Sequence, residues 1–371
     1  MKRTLLFYTL FFMACSVIMR LSGVLSKIIA ARYISPYEYG LITLVTITLP
    51  NMFSYFTNFC LHDLLSHSKE GKEYLGFSLS YSLITSLSVT MLVFIFRERV
   101  FGFLNLPMNL WTSLFVAFTI PLISLSILTD LTGFFRGLKE YSLTSIIASL
   151  PAVLKLGLII ITIYILHFTD FLIILAIFAV SPFIALVIVL IRYPKPIFSS
   201  LRHAKLPSKK LLFFAASVFV VWLFGGLNQI LNKIVISHDL GVVWQGYFDV
   251  SLTLVAILSF AFGAMGFISI PEATSAESKE ELLFERGRLG DVIRGLFSFL
   301  ILCTILLYFY SHQFIKLLFG HEYLAAADYV PILTIGYIFL FVQQFLAYIN
   351  ISFQDPKEYK SLIFATIICL V

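Results

Sequence analysis

Residues 170–191 read DFLIILAIFAVSPFIALVIVLI. After Asp170 the run carries no charged side chain as far as Ile191. A helix of roughly 20 apolar residues crosses a hydrocarbon core of about 30 Å. In lipid, only a helix or a closed barrel satisfies its own backbone groups. The run lacks the polar–apolar alternation of a barrel strand, so it predicts a membrane-spanning helix, bent at Pro182.

Similar runs predict spans near 5–31, 39–61, 76–96, 111–134, 143–166, 211–236, 246–270, 291–310 and 327–351, with an eleventh beginning near 359. Composition agrees. The chain is 60% hydrophobic and 12% charged, where soluble domains run near 45–50% and about 25%. A soluble fold of this size could not bury that much apolar surface. The expected fold class is all-α integral membrane, with about 11 transmembrane helices. Lys2-Arg3 followed by an apolar run to Met19 resembles a signal peptide, but no small-x-small cleavage site follows. A retained first helix is expected.

Several function classes drop out. Cys15, Cys60, Cys303 and Cys369 form no CxxC, and the seven histidines form no HxxxH pair. Neither a disulfide framework nor a metal site is expected. The net charge of +6 is spread over short loops, which argues against nucleic acid as a partner. No nucleophile–base pair or phosphate loop is present, so no catalytic residue and no cofactor are assigned.

Orientation follows from Lys and Arg. With the N-terminus inside, 18 basic residues face the cytoplasm, among them Lys2, Arg3, Lys139, Arg192, Lys205 and Arg286; Arg32, Arg97, Arg99 and Lys316 face out. That asymmetry sets the N-terminus in the cytoplasm. The basic stretch 192–210 holds Pro194, Pro196 and Pro207 and divides the chain into a six-helix bundle (1–191), a cytoplasmic linker (192–210) and a second bundle (211–371). Its basic residues suit anionic lipid headgroups.

The two bundles read as a repeat. Leu25-Ser26-Lys27-Ile28-Ile29 matches Leu231-Asn232-Lys233-Ile234-Val235 at an offset of 206, and the same offset carries Gly40 onto Gly246. Phe101-Gly102 matches Phe319-Gly320, and Lys139-Glu140-Tyr141 matches Lys357-Glu358-Tyr359, both at 218. Six helices separate the copies, an even number, so the two bundles are parallel and pseudo-symmetric, as in many transporters. A complete second copy would extend to about residue 409 by this offset. The sequence stops at Val371 within an apolar run, so the second bundle is expected to be incomplete.

Arg20, Lys27, Lys155 and Lys233 fall inside spans. Facing lipid at a bilayer centre, each would cost roughly 2.5–3.5 kcal/mol. Arg20 and Lys27 are two helical turns apart on one face, with Gly23 between them. Lys233 is the repeat-mate of Lys27, and Asn228, Gln229 and Asn232 share its helix. The reading is a cationic cavity that binds an anionic substrate through Arg20, Lys27, Lys155, Lys233, Asn228 and Asn232. Snorkelling or pairing with the intramembrane acids Asp130 and Asp249 is the competing reading. Those two acids are also candidates for carrying a coupling proton or Na⁺.

The run Arg20-Leu21-Ser22-Gly23, with Ala31-Arg32-Tyr33-Ile34-Ser35-Pro36-Tyr37-Glu38-Tyr39-Gly40, resembles the first helix and loop of the polysaccharide-biosynthesis flippases. These belong to the multidrug/oligosaccharidyl-lipid/polysaccharide exporter superfamily. Gly133-Phe134-Phe135-Arg136-Gly137 is similar to that family's fourth-helix ending, and Leu318-Phe319-Gly320-His321-Glu322-Tyr323 to its segment after the ninth. The resemblance implies two facing bundles in the cell membrane. It also implies flipping of polyprenyl-linked oligosaccharide between leaflets, with membrane lipids, polysaccharide polymerases or glycosyltransferases as partners. One departure stands out: many relatives carry Asp where this chain has Asn232. A multidrug or metabolite exporter of the same fold, and a non-transporting scaffold for polysaccharide assembly, are the alternatives.

Overall fold

Helix α1 runs from Lys2 to Ala31 in the computed structural model, which describes residues 2–59, 61–62, 65, 71–202, 205–258 and 288–339. After a short turn, Ser35 starts α2 (Pro36–Asn58) with a reciprocal cap. The Glu38 carboxylate accepts from the Ser35 N–H at 2.9 Å, and the Ser35 hydroxyl oxygen accepts from the Glu38 N–H at 3.4 Å. Pro36 occupies the first turn, where its missing N–H costs nothing. The Ser-Pro-Tyr-Glu of the family-like stretch is therefore a capping box. Within α2, residues Leu44–Thr48 open into a π turn just before Pro50. Such a turn absorbs a local irregularity in the hydrogen-bond ladder.

Helix α3 (Gly71–Ile95) is followed by the short α4 (Arg97–Phe103). Next come α5 (Trp111–Gly137), α6 (Tyr141–Ile160, closed by a π turn to Ile165) and α7 (Phe171–Arg192). The 3₁₀ turn Met108–Leu110 leads into α5. The stretch 170–191 is thus one helix, capped by Asp170, whose carboxylate accepts from the Leu172 N–H at 2.8 Å. The linker holds α8 (Pro194–Arg202), and α9 (Lys209–Asp239) and α10 (Val242–Val255) follow it. Helix α11 (Arg288–Leu318) kinks at Tyr310. Among the described residues there is no strand, and seven helical stretches are long and apolar enough to cross a membrane. The fold is all-α and integral to the membrane. The expected spans at 246–270 and 327–351 lie partly, and the one from 359 wholly, outside the described residues.

The chain forms two compact bodies, Met1–Gly246 and Tyr247–Val371. In the first, α5 packs against α2, α3, α6 and α7, while α1 lies along α6. Helix α3 shows the logic of a membrane helix. Ser78, Ser82 and Ser86 recur every four residues and are buried, while Ile84, Met91 and Ile95 are exposed. The face that meets protein is polar, and the face left for lipid is aliphatic. Gly133 marks a close approach, because a methyl group there would meet the His62 carbonyl at 2.3 Å. Helix α8 tucks Ile197 into the core beside Ala185 and Leu186 and leaves Phe198 exposed.

In the second body, α10 and the 3₁₀ segment His321–Tyr329 are joined by the Ser251 hydroxyl, which donates to the Ala326 carbonyl at 2.6 Å. The Leu318-Phe319-Gly320 motif is a helix stop. Gly320 takes φ +104°, a left-handed conformation that suits glycine, and Phe319 and Tyr323 fill the core. Element boundaries recur at the repeat's offsets. Val242, which opens α10, lies 206 residues after Pro36, which opens α2. The 3₁₀ segment leading into the helical stretch 330–339 corresponds, at 218, to the one leading into α5.

Candidate functional site

Three clusters of polar or close contacts lie in the first body. The first is a crossing of α2 with the start of α10. A methyl group on Gly40 would meet the Val242 carbonyl oxygen at 2.2 Å, and one on Gly246 would meet the Pro36 carbonyl oxygen at 2.3 Å. At the sequence offset of 206, Gly40 matches Gly246 and Pro36 matches Val242. The contact is therefore reciprocal, the pattern of a two-fold contact between like surfaces. Each helix brings its bare backbone against the other's first turn. The buried Gln245 amide locks it, donating to the Thr43 hydroxyl at 3.3 Å.

The second cluster is a strap at the same ends of the helices. Asn105, in a left-handed conformation (φ 54°), donates from Nδ2 to the carbonyls of Ser237 and His238, both at 2.8 Å. These are last-turn carbonyls of α9, which lack partners within the helix. Ser237 Oγ donates to the Leu104 carbonyl at 2.8 Å, and the His238 ring stacks on Phe103 at 4.3 Å. Crossing and strap together join α2 and the α4–α5 turn to α9 and the first turns of α10. The repeat offset matched Gly40 with Gly246; nothing in the sequence signalled Asn105.

The third cluster surrounds Asp130 on α5, which is wholly buried. The Ser82 hydroxyl on α3 sits 2.7 Å from Asp130 Oδ2 and 3.3 Å from Asn58 Oδ1 on α2. A hydroxyl has one proton to give, and the nearer carboxyl takes it. One turn away, Thr57 and Ser126 hydroxyls meet at 2.7 Å. Among the described residues Asp130 enters no ion pair, so it does not neutralise the intramembrane cations there. Asp249 is also wholly buried, on α10 in the second body, one turn before Thr253.

The expected cationic residues are distributed over three helices. Arg20 and Lys27 are half-buried on α1, Lys155 is half-buried on the adjacent α6, and Lys233 is half-buried on α9. The Lys155 ammonium lies 4.8 Å from the centre of the buried Phe178 ring, a cation–π contact. Asn232 is exposed, and the Asn228 side chain lies outside the described residues. Outside the bundle, Lys205 pairs with Glu73 at 2.8 Å, and its N–H donates to the Glu73 carbonyl, so part of the basic linker is tied to the foot of α3. Among the described residues no three His, Cys, Asp or Glu side chains gather to hold a metal.

The fold is one already known. An inward-facing MATE-family multidrug resistance transporter of the MOP superfamily superposes with a TM-score of 0.63 at 15% identity, over 96% of this chain and 84% of that one. A MATE structure in complex with MaD3S gives 0.60 at 14% identity, covering 96% and 85%. A variant of the Vibrio cholerae MATE transporter VcmN gives 0.56 at 11%, covering 94% and 83%. At these identities the likeness to the MATE structures is one of fold alone. No family model and no curated protein sequence matches the chain.

Proposed function

We propose that the protein is an alternating-access transporter. In this reading it flips a polyprenyl-(pyro)phosphate-linked oligosaccharide from the cytoplasmic to the outer leaflet of the cell membrane, and its N-terminus is cytoplasmic. The observation that carries the reading is the reciprocal Gly40–Gly246 crossing. A contact between the opening turns of two repeat-mates is where two halves would part if they rocked against each other. In the proposed orientation crossing and strap lie at the outer face.

The likeness to transporter folds supports transport in general. The family-like motifs and the cations support an anionic lipid-linked substrate. Arg20, Lys27 and Lys233 would hold the pyrophosphate, with Asn228 and Asn232 beside Lys233, while the sugar rides in water and the polyprenyl tail stays in lipid. The Lys155 ammonium also lies over the Phe178 ring. An inside-negative potential would favour expulsion of the anionic headgroup. Rocking would move residues 1–191 against 211 onward, with 192–210 as the linker, and sugar polymerases or glycosyltransferases would supply and consume the substrate. A second reading, export of drugs or metabolites, rests on the multidrug transporters among the similar folds.

The test is flipping of a fluorescent polyprenyl-pyrophosphoryl sugar in proteoliposomes, with Lys27→Ala/Lys233→Ala alongside. Flipping by the parent that fails in the double variant is expected. No flipping under an imposed potential or ion gradient, with efflux of amphiphilic drugs instead, would favour the exporter.

A further inference from the structure

We infer that the stretch 192–210 is a lipid-binding ledge: Arg192, Lys195 and Lys209 bind anionic phospholipid headgroups, while Phe198 and Leu206 sit among the acyl chains. The inference goes beyond the transport reading and uses it only to name the leaflet, which is the inner one in the proposed orientation.

A basic linker with several prolines can hang loose in water. This one is fixed to the first body at successive points. The Tyr193 ring meets Phe135 of α5 edge-on at 5.6 Å. Ile197 of α8 is buried in the same core as Tyr74 and Leu75 of α3 and Val189 of α7. The Lys205 N–H donates to the Glu73 carbonyl at 2.8 Å, and its ammonium pairs with the Glu73 carboxylate at 2.8 Å. Pro207 is buried, and the Ser208 hydroxyl oxygen accepts from the Leu211 N–H at 3.4 Å as α9 begins. The end of α7 and the starts of α3 and α9 are thus tied to one stretch of chain. A segment pinned to three span ends lies along the boundary between hydrocarbon and water.

What the ledge turns outward decides what it meets. Ile191, Phe198 and Leu206 are 75%, 57% and 78% exposed. Each has an exposed cation as chain neighbour or one helical turn away: Arg192 beside Ile191, Lys195 three residues before Phe198, and Lys205 beside Leu206. Apolar groups interleaved with cations mark a segment lying in the interface plane, where rings and aliphatic ends enter the acyl boundary and cations stay with the headgroups. Lys205 is engaged by Glu73, so Arg192, Lys195 and Lys209 are the cations assigned to headgroups.

The sign of the headgroup follows from the charge on this face. Successive spans alternate in direction, so the ends of α5 and α7 and the starts of α3, α6 and α9 share it. Among the described side chains, its cations are Arg136, Lys139, Arg192, Lys195, Lys205 and Lys209, against the acids Glu73 and Glu140. The opposite face of the first body carries Arg32, Arg97 and Arg99 against Glu38, Glu98, Asp170 and Asp239. An anionic leaflet is therefore attracted to the face with the ledge and not to the other. An acidic soluble protein would match the charge, but not an aliphatic end such as Ile191, which closes a membrane span.

The test uses the intact chain in vesicles, with Cys15, Cys60, Cys303 and Cys369 replaced by serine and an environment-sensitive dye on Phe198→Cys, where it takes the place of an exposed ring. Quenching by spin-labelled phosphatidylglycerol is compared with quenching by spin-labelled phosphatidylcholine at equal mole fraction. Each cation near an anionic surface is worth about fivefold in local lipid enrichment. Phosphatidylglycerol should therefore quench several-fold more strongly, the excess should fall as salt is raised, and it should approach equality in Arg192→Gln/Lys195→Gln. The same dye on Ile84→Cys, an exposed position within α3, should show no preference. Quenching by neither lipid would place the ledge in water and overturn the inference, leaving the face to a soluble partner. Equal quenching by both in the parent would overturn the anionic assignment. These substitutions change exposed side chains, and elution like that of the parent checks that the fold is kept. The readout needs no transport, so a failure of the flippase reading would leave it intact.

Discussion

Gly246→Ala should part α2 from α10 at their crossing. The added methyl would sit 2.3 Å from the Pro36 carbonyl oxygen and 3.3 Å from the Gly40 nitrogen. Carbon reaches an ordinary contact at about 3.5 Å, so the helices must separate by roughly 1 Å. Backbone, unlike a side-chain tip, cannot swing aside. Overpacking of this kind costs about 1–3 kcal/mol, and the separation also weakens the 3.3 Å Gln245–Thr43 bond. Each 1.4 kcal/mol is a factor of ten in a population, so the open fraction should rise by roughly 5- to 150-fold. The assay is labelling of Thr46→Cys by a membrane-impermeant maleimide, in a background with Cys15, Cys60, Cys303 and Cys369 replaced by serine. Thr46 is 4% exposed, and lies on α2 beyond the crossing. Gly23→Ala is the control, since nothing lies within 4 Å of the added methyl. A Gly246→Ala protein that elutes as the parent does and labels no faster would refute the claim that this crossing keeps Thr46 covered.

Asn105→Ala should speed the same labelling and lower thermal stability by about 1–3 kcal/mol, since two hydrogen bonds to the end of α9 are lost. Ser35→Ala removes the reciprocal cap of α2 and should cost about 0.5–2 kcal/mol in a thermal-shift series in detergent, with Ser35→Thr recovering most of it. Lys155→Met, which keeps the stem and removes the charge, should cost roughly 0.5–2 kcal/mol through the lost contact with Phe178, while Lys155→Arg stays near the parent in the same melt. Lys205→Ala, whose partner Glu73 is exposed, should change stability by less than about 1 kcal/mol at moderate salt.

Helix positions were legible because hydropathy length is a direct reading of bilayer thickness. The stretch 170–191 became Phe171–Arg192, and 76–96 became Gly71–Ile95 with a short helix after it. The repeat offset matched Gly40 with Gly246, but that the two meet in space was not legible, because an alignment of copies says nothing about which surfaces touch. The surroundings of Asp130 were not legible in the same way. Asn58, Ser82 and Asp130 are dozens of residues apart, and their meeting depends on how three helices are rotated about their axes. A clue was present in Ser78, Ser82 and Ser86, whose four-residue spacing marks a polar stripe that lipid would disfavour. Asn105 lay in an apparent loop, where hydropathy says nothing. Capping of a helix more than 130 residues away is a tertiary event that no local pattern encodes.

The Gly40–Gly246 contact also bears on descent. When a helix crosses its own repeat-mate, the parent of the two copies would have made that contact with a second molecule of itself. In such a parent one glycine would serve both sides, and any change there would strike twice. Fusion would free the sides to drift apart. Position 39 is tyrosine in one copy, and its mate at 245 is the glutamine that bonds Thr43. The glycine, clamped from both directions, is the position where drift had no room.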